Sequence, residues 1–413
     1  MRFGLLGVNS FYGAHPAAAA STARLAEEIG LDSVWAIDHV VVPATYETTY
    51  PYDESGKMMG GEVEFDLADP LIWLAYAAAV TERVILATGV LVLPQRNPLV
   101  LAKQVASLDV LSGGRVHLGV GVGWLEEEFT AVGVPFADRG RRHDDYVTAL
   151  RALWRDTKAT VDTTYATFTD AVSLPHPVNG GVPIVIGGGS ERAARRAGRI
   201  GDGFFPTVAG PDALQPLLAI IRTEADAAGR DADAIEVTVP YGGDLTGLDD
   251  GTRRRAIVDE LSRTADGYAA IGVTRILIPA QPADALRALA ADLSDRYGIT
   301  DATIGVPSQR CDSRCDSRCR PATGVSCRHP IQTITACRKR VRHNTKERFT
   351  HVRETRRQSS RHHRRFQRHR SGHSHGVRRP RRPRLHHRSP PDRTRQGGHR
   401  DRAQRHPGSR RRR

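Results

Sequence analysis

The first 300 residues of this 413-residue chain contain no cysteine, which excludes a disulfide framework and a thiolate metal site from that part. All five cysteines lie between Cys311 and Cys337. Long apolar runs are also missing, because Leu71–Val80 is much shorter than the roughly 20 residues that cross a bilayer. The apolar stretch Phe3–Val8 is too short for a secretory signal. We therefore expect a soluble, cytoplasmic protein with no membrane partner.

Acidic and aromatic residues are scarce after residue 300. Residues 1–300 contain 26 lysines and arginines against 39 acidic residues, whereas the last 113 residues contain 34 against 7. All Trp, all Tyr and eight of the ten Phe precede residue 301. A packed core is therefore expected in residues 1–300, and residues 301–413 are predicted to be a disordered basic tail. The net charge of +14 does not mark the first 300 residues as a nucleic-acid binder.

The tail is rich in Arg, His, Pro and Ser, and two interpretations remain open. Its charge and its 12 histidines could bind RNA, DNA or acidic surfaces without specificity. The interpretation we favour is a non-native extension, such as an out-of-frame read of a GC-rich gene, because the composition changes abruptly. The cysteine spacings do not fit a standard zinc site, so no metal is predicted.

Short β-branched or apolar runs alternate with longer helical patterns through the first 300 residues. The eight predicted strands are Arg2–Val8, Ser33–Val40, Val84–Leu93, Arg115–Gly121, Pro183–Gly187, Gly203–Pro206, Ile235–Pro240 and Arg275–Pro279. The eight predicted helices are Pro16–Ile29, Pro70–Val80, Pro98–Leu111, Arg141–Asp156, Glu191–Arg199, Asp212–Ala228, Arg253–Ala270 and Ala283–Tyr297. Eight such units predict an α/β fold of the (β/α)8 TIM-barrel type, and a doubly wound open sheet is the alternative.

Two predicted loops are longer than a simple unit needs. They are residues 43–66 after the second strand and residues 124–140 after the fourth. Loops of this kind at the C-terminal face of a barrel commonly cover a site. Asp38 and His39 end the second strand, so the barrel places them at that mouth. Imidazole suits proton transfer near neutral pH, and a capping aspartate beside a surface histidine is the alternative.

Glycines follow or interrupt the third and fourth strands. Gly89 lies inside an apolar strand before Val90, which indicates a bulge, a close ligand approach or simple packing. Gly121 and Gly123 lead to Trp124, where a dinucleotide-binding motif would need a third glycine. We interpret this turn as lying against a flat ring, with Trp124 as an apolar wall. A packing role for Trp124 beneath its loop is the alternative.

A glycine-rich turn precedes the predicted helix that begins at Glu191. Gly187, Gly188, Gly189 and Ser190 place backbone N–H groups at the positive end of that helix, a typical anion site. The arginines of this helix are interpreted as a solvated face rather than as ligands. Glu126, Glu127 and Glu128 are likewise interpreted as an exposed acidic face near a helix start.

Four segments together resemble the luciferase-like flavin and deazaflavin oxidoreductases. They are Asp38-His39, LATGVLVLPQRNPLVLAKQVASLDVLSGGR, LGVGVGWLEEEF and PIVIGGGSERAARRAGRIGDGF. The likeness covers about residues 1–298, and it is closest to the branch that uses 8-hydroxy-5-deazaflavin, coenzyme F-420. It implies a (β/α)8 barrel that holds the cofactor ring at the C-terminal ends of its strands.

The resemblance also implies roles for individual residues. A cis peptide at Gly89-Val90 would back the ring, the turn Gly187–Ser190 would hold the cofactor phosphate, and His39 would act as the base. Sugar-phosphate dehydrogenases of the family carry a glutamate where this chain has Trp124, which weighs against that activity. The implied reaction is hydride transfer between the reduced deazaflavin and a small organic substrate.

An FMN-dependent monooxygenase that inserts oxygen is the alternative function. The partners under consideration are a small-molecule substrate, an enzyme that reduces the cofactor, and a second copy of the chain in a homodimer.

Overall fold

The computed structural model describes residues 1–298, except residues 54, 208, 209, 244 and 246. The predicted domain boundary near residue 300 and the predicted disordered tail lie outside the described residues. The strands are β1 (Arg2–Leu6), β2 (Ser33–Ala36), β3 (Ile85–Thr88), β4 (Leu91–Val92), β5 (Val116–Gly121), β6 (Ala159–Asp162), β7 (Thr167–Ala171), β8 (Ile184–Gly187), β9 (Gly203–Phe205), β10 (Glu236–Pro240) and β11 (Val273–Pro279).

Nine of these strands form a closed parallel barrel. The order β3-β2-β1-β11-β10-β9-β8-β5-β4 is completed by pairing of β3 with β5. Because β3 and β4 are two parts of one interrupted strand, the barrel has eight strand positions. The predicted (β/α)8 fold is confirmed, and the open sheet is wrong, since no barrel strand is left as an edge.

The helices surround this barrel. They are α1 (Pro16–Glu28), α2 (Pro70–Ala78), α3 (Pro98–Ser112), α4 (Glu126–Ala131), α5 (Arg139–Arg155), α6 (Glu191–Ile200), α7 (Gly210–Ala227), α8 (Asp250–Ala270) and α9 (Ala283–Tyr297). Eight match the predicted helices within a few residues. The short helix α4 and the antiparallel pair β6–β7 were not predicted.

Local chemistry explains where the helices begin. The side chain of Asp69 accepts hydrogen bonds from the N–H groups of Leu71 and Ile72, and Asn97 does the same at the start of α3. Pro70 and Pro98 occupy the first helical positions, where their missing N–H costs nothing. Gly113 ends α3 at φ 76°, a left-handed conformation that glycine adopts without a steric penalty.

Buried tryptophans lie in two parts of the apolar core: Trp73 and Trp154 in the large cluster that includes the helices, and Trp35 in a smaller cluster of strand residues with Phe205 and Leu277. Trp35 and Trp154 are at most 1% exposed, and Trp73 is 3% exposed. Their indole N–H groups donate to Ser33 Oγ, Ala102 O and Gly13 O respectively, at 2.9–3.0 Å. Each large ring is therefore buried without leaving its polar atom unsatisfied.

The third strand position is not the continuous strand predicted over Val84–Leu93. It breaks between β3 and β4, where the Gly89-Val90 peptide bond is cis, as the resemblance implied. The break places the Val90 side chain next to two other strands. A Cβ at Gly121 would lie 2.8 Å from Val90 Cγ2, and a Cβ at Gly187 would lie 2.8 Å from Val90 Cγ1. Glycine at these positions makes room for Val90.

Charged side chains are paired at the N-terminal end of the barrel. Arg275 is 1% exposed, and its Nε donates to Asp32 Oδ2 at 2.8 Å. Arg2 donates to Glu236 at 2.9 Å. Burial, helped by the nearby Arg275 charge, lowers the pKa of His117 to about 4, so this ring is neutral at pH 7. This end of the barrel serves stability, while the loops of the other end are free to form a site.

None of the described helices is both long enough and apolar enough to pass through a membrane.

We expect Gly119→Ala to destabilise the barrel. The added Cβ would collide with the carbonyl oxygen of Thr88 in the neighbouring strand, and backbone atoms cannot move aside as a side-chain end can. The expected loss is about 1–3 kcal/mol of unfolding free energy, measured by urea denaturation. Gly242→Ala is the control, since its Cβ would meet no described atom within 4 Å. Equal stability of the two variants would contradict this packing argument.

Candidate active site

The residues singled out in the sequence follow the C-terminal ends of four strand positions. Asp38 and His39 follow β2, Val90 lies between β3 and β4, Trp124 follows β5 and the glycine-rich turn follows β8. In a parallel barrel these ends lie on one rim. The structure therefore brings the predicted residues to the same face, although they are spread over about 150 positions of the chain.

Asp38 joins the ends of two strand positions. Its side chain is buried and accepts a hydrogen bond from Val92 N–H at 2.9 Å and one from Arg96 Nη2 at 2.6 Å. Burial raises the pKa of Asp38, and the Arg96 charge opposes that rise. Arg96 also donates to Asp69 at 3.0 Å, at the start of α2. These contacts fix the backbone next to His39. The predicted catalytic role of Asp38 stays a prediction.

His39 pairs with a residue that sequence reasoning did not assign to the site. Its Nδ1 lies 2.9 Å from Glu128 Oε2, and the side chains are 11% and 2% exposed. Glu128 Oε1 accepts hydrogen bonds from the N–H groups of Val40, at 2.6 Å, and Val41, at 3.3 Å. A buried carboxylate on α4 thus holds both the imidazole and the backbone after it.

The prediction that Glu126, Glu127 and Glu128 form an exposed acidic face is wrong for Glu128, which is 1% exposed. The helix period contains the signal that was missed. Leu125 and Phe129 are buried, and Glu128 lies three residues after Leu125, on the same side of the helix. A glutamate on the apolar face of a helix needs a partner, and only the fold shows that the partner is His39.

Glu127 secures the long loop after β2. Its carboxylate accepts hydrogen bonds from Glu47 N–H at 2.7 Å, Thr48 N–H at 3.1 Å and Thr48 Oγ at 2.7 Å. Burial acts to raise the pKa of Glu127, but these hydrogen bonds, that of Thr48 Oγ foremost, lower the pKa to about 2. Neighbouring glutamates on α4 therefore hold the loop and the histidine separately.

Aromatic rings surround Trp124, which is half-buried. Its centroid lies 4.9 Å from the ring of Tyr50, 5.7 Å from Tyr46 and 6.0 Å from His39, in edge-to-face arrangements. Burial raises the pKa of Tyr50 to about 12, so this phenol stays neutral at physiological pH. Trp124 therefore joins the loop to the imidazole, as an apolar wall beside the site would.

The glycines after β5 are explained largely by packing. A Cβ on Gly123, whose φ is 80°, would lie 2.6 Å from Phe129 and 2.7 Å from Val92. At Gly121 the space is taken by Val90, and Gly89 packs against Leu6 and Trp35. Contact of Gly89, Val90, Gly121 and Gly123 with a cofactor stays a prediction.

The turn Gly187–Ser190 leads directly into α6. Ser190 caps the helix, because its Oγ accepts from Ala193 N–H at 3.3 Å. Gly188 has a φ of 121°, which only glycine adopts readily, and its N–H donates to Phe205 O at 3.1 Å. The first turn of a helix has N–H groups with no partner inside the helix. Together with the helix dipole, those groups suit an anion such as a phosphate.

Two arginines near the start of α6 differ in exposure: Arg139 is partly buried and Arg192 is exposed. Burial lowers the pKa of the Arg139 guanidinium, and the charge of the exposed Arg192 lowers it slightly further. Arg139 Nε donates to Gly123 O at 3.1 Å. Three other arginines of α6 form ion pairs with acidic residues: Arg195, Arg196 and Arg199. The solvated-face interpretation thus suits most of α6, whereas Arg139 and Arg192 concentrate positive charge near the turn.

Two glutamines lie at the rim, and the buried amide of Gln281 has no hydrogen-bond partner among the described residues. Gln95 follows β4 and lies near enough to Glu128 to help lower its pKa. Gln281 follows β11 and is 2% exposed. Buried amides cost free energy unless they are paired, so the Gln281 amide suits contact with a bound molecule.

The chain belongs to the luciferase-like monooxygenase family, whose model matches residues 1–313. This confirms the resemblance, and the protein is an oxidoreductase of that family. It is 33% identical over 287 residues to an uncharacterized protein of Mycobacterium tuberculosis, covering 69% of this chain and 94% of that one.

A second relative has a named activity. The F-420-dependent glucose-6-phosphate dehydrogenase of Beutenbergia cavernae is 34% identical over 239 residues, which cover 55% of this chain and 66% of that enzyme. A solved monooxygenase from Streptomyces bottropensis is 24% identical with a TM-score of 0.56, covering 72% of this chain and 98% of that one. That structure shares the fold.

We expect Glu127→Ala to loosen the loop without unfolding the barrel. Removing a charged acceptor costs about 1.5–3 kcal/mol locally, so amide exchange at Glu47 and Thr48 should accelerate roughly 10- to 100-fold. Hydrogen exchange read by mass spectrometry measures this, with Glu126→Ala as the control. In the unaltered protein the protection should persist at pH 4, since the lowered pKa of Glu127 keeps it ionised until the pH nears 2. Equal exchange rates at Glu47 and Thr48 in both variants would show that Glu127 does not hold the loop.

Proposed function

We propose that this protein transfers a hydride between coenzyme F-420 and a small organic substrate. The observation that carries the proposal is the meeting, on one barrel rim, of a carboxylate-held histidine and a glycine-rich anion-binding turn. The F-420-dependent relative at 34% identity supports the choice of cofactor. The family resemblance supports the placement of the ring against Gly89 and Val90.

The residues of the rim fit a planar cofactor with a phosphate-bearing tail. The turn Gly187–Ser190, with the first N–H groups of α6 and the charge of Arg192, would hold the phosphate. Gly89 and Val90 would lie behind the ring. Trp124, which follows Gly121 and Gly123, would form a wall at its side. The unpartnered amide of Gln281 is available for polar atoms of a bound molecule. When bound, the deazaflavin supplies the carbon that takes up or returns a hydride.

His39 would exchange the proton that accompanies the hydride. Glu128 occupies the Nδ1 side of the ring, so the proton is held or released at Nε2. Oxidation of a substrate hydroxyl gives its proton to Nε2, and reduction of a carbonyl takes it back. Asp38 would keep the end of β2 in place through Arg96 and Val92 N–H rather than touch the substrate. The aromatic rings of Trp124, Tyr46 and Tyr50 would exclude water.

The substrate is proposed to differ from a sugar phosphate. The glutamate of sugar-phosphate dehydrogenases in the family is replaced here by Trp124. The indole packs against tyrosines of the loop and provides no carboxylate. A small organic molecule with an apolar surface suits such walls better than a charged sugar.

A monooxygenase that uses FMN is the second candidate. The matching fold of the Streptomyces bottropensis monooxygenase favours it, and the same anion-binding turn suits the FMN phosphate. In this version a separate enzyme supplies reduced FMN, and oxygen is the second substrate.

We expect the full-length protein to bind coenzyme F-420 with a micromolar or lower Kd and FMN at least ~10-fold more weakly, a difference of about 1.4 kcal/mol. Parallel titrations that follow the fluorescence of each cofactor measure this. Binding of FMN alone, with oxygen uptake in the presence of reduced FMN, would reject the deazaflavin proposal in favour of the monooxygenase.

We expect Arg192→Gln to weaken F-420 binding roughly 10-fold, since hydrogen bonds to charged groups contribute about 1.5–3 kcal/mol. The same titration measures the change. Arg199→Gln is the matched control because it lies on the same helix and pairs with Glu224. Equal losses in the two variants would mean that the general charge of α6, rather than the turn, attracts the cofactor.

A further inference from the structure

The carboxylate of Glu128 divides its two oxygens between two tasks. Oε1 accepts the N–H groups of Val40 and Val41, which fixes the backbone after β2. Oε2 is left for the imidazole of His39. Glu127 uses its carboxylate differently, because Oε1 accepts the N–H groups of Glu47 and Thr48 and Oε2 accepts the Thr48 hydroxyl, so both oxygens serve the loop.

The carboxylate is ionised although it is enclosed. Burial acts to raise the pKa of Glu128, but the hydrogen bond and charge of His39, together with the Gln95 amide and Val40 N–H, lower the pKa below its usual value. An ionised carboxylate can only accept hydrogen bonds. The proton between Glu128 and His39 therefore belongs to Nδ1 of the imidazole.

The neighbouring charges do not compete for this role. Asp38, the residue before His39, is paired with Arg96 Nη2 at 2.6 Å. Trp124 covers the imidazole with an uncharged ring. Glu128 is thus the charged group that contacts the imidazole of His39.

We propose that Glu128 is a positioning residue that locks His39 in the tautomer with the proton on Nδ1 and so makes Nε2 the proton-exchanging atom. This inference rests on the proposed function of His39 as the proton-transfer group. A carboxylate behind an imidazole also stabilises the imidazolium that forms when the ring takes up a proton. Glu128 does this without touching the substrate.

The test reads the tautomer directly, by NMR of the full-length protein with 15N-labelled histidine. His39 is assigned by comparison with His39→Gln, and spectra are recorded at alkaline pH, where the ring is neutral. Wild type should show protonated Nδ1 and unprotonated Nε2. Glu128→Leu removes the acceptor and should give a mixture of tautomers. Glu126→Gln is the control, since this exposed neighbour does not contact the ring, and it should match wild type.

Glu128→Gln keeps the shape and one acceptor oxygen, so it tests the inference even if the leucine variant does not fold. The N–H groups of Val40 and Val41 require the single amide oxygen, so the amide NH2 should face Nδ1 and donate to it. The imidazole proton should then move to Nε2. An Nδ1–H resonance identical to wild type, or an unprotonated Nδ1 in wild type, would overturn the inference.

Measuring the affinity for F-420 distinguishes a failure of this inference from a failure of the proposed function. Wild type and the Glu126→Gln control should bind F-420 with affinities within about two-fold of each other. Failure of wild type to bind F-420 would reject the proposed cofactor, while the tautomer measured in the free protein would still decide the role of Glu128.

Discussion

The packing of the Val90 side chain against β5 and β8 is the constraint on which the site depends. Its methyl groups fit only because Gly121 and Gly187 lack a Cβ. Arg96 follows this interrupted strand, and its guanidinium donates a hydrogen bond to Asp38, which follows β2. One packing requirement therefore explains glycines in two other strands and fixes the frame that carries His39.

Helix α4 has only six residues, yet it organises the rim. Glu127 fastens the loop after β2, and Glu128 fastens His39 and the two residues after it. Both carboxylates are ionised because donors surround them, which offsets the cost of burial. The loop and the imidazole are thus held by adjacent side chains of one helix turn, and each can be altered separately.

The regular elements follow from patterns that a single segment contains. Within the described residues, apolar periodicity, proline at helix starts and glycine at helix ends predict all eight strand positions of the barrel and eight of the nine α-helices. The pattern leaves the break at Gly89-Val90 undecided, since a glycine inside an apolar run is compatible with a bulge, a close ligand approach or simple packing. It also misses α4, because three successive glutamates resemble a solvated helix start until the burial of Glu128 is known.

The sequence by itself determined the barrel, the rim on which the predicted site residues lie, the glycine-rich turn before α6 and the family. Each of these depends on neighbours in the chain: a run, a cap or a motif. Only the tertiary structure decided which carboxylate holds His39 and why the glycines of β5 and β8 are needed. It also showed which arginine of α6, Arg192, has no acidic partner among the described residues. Glu128 and His39 are 89 residues apart, and such a pairing is fixed by the way strands and helices pack, which no local pattern records.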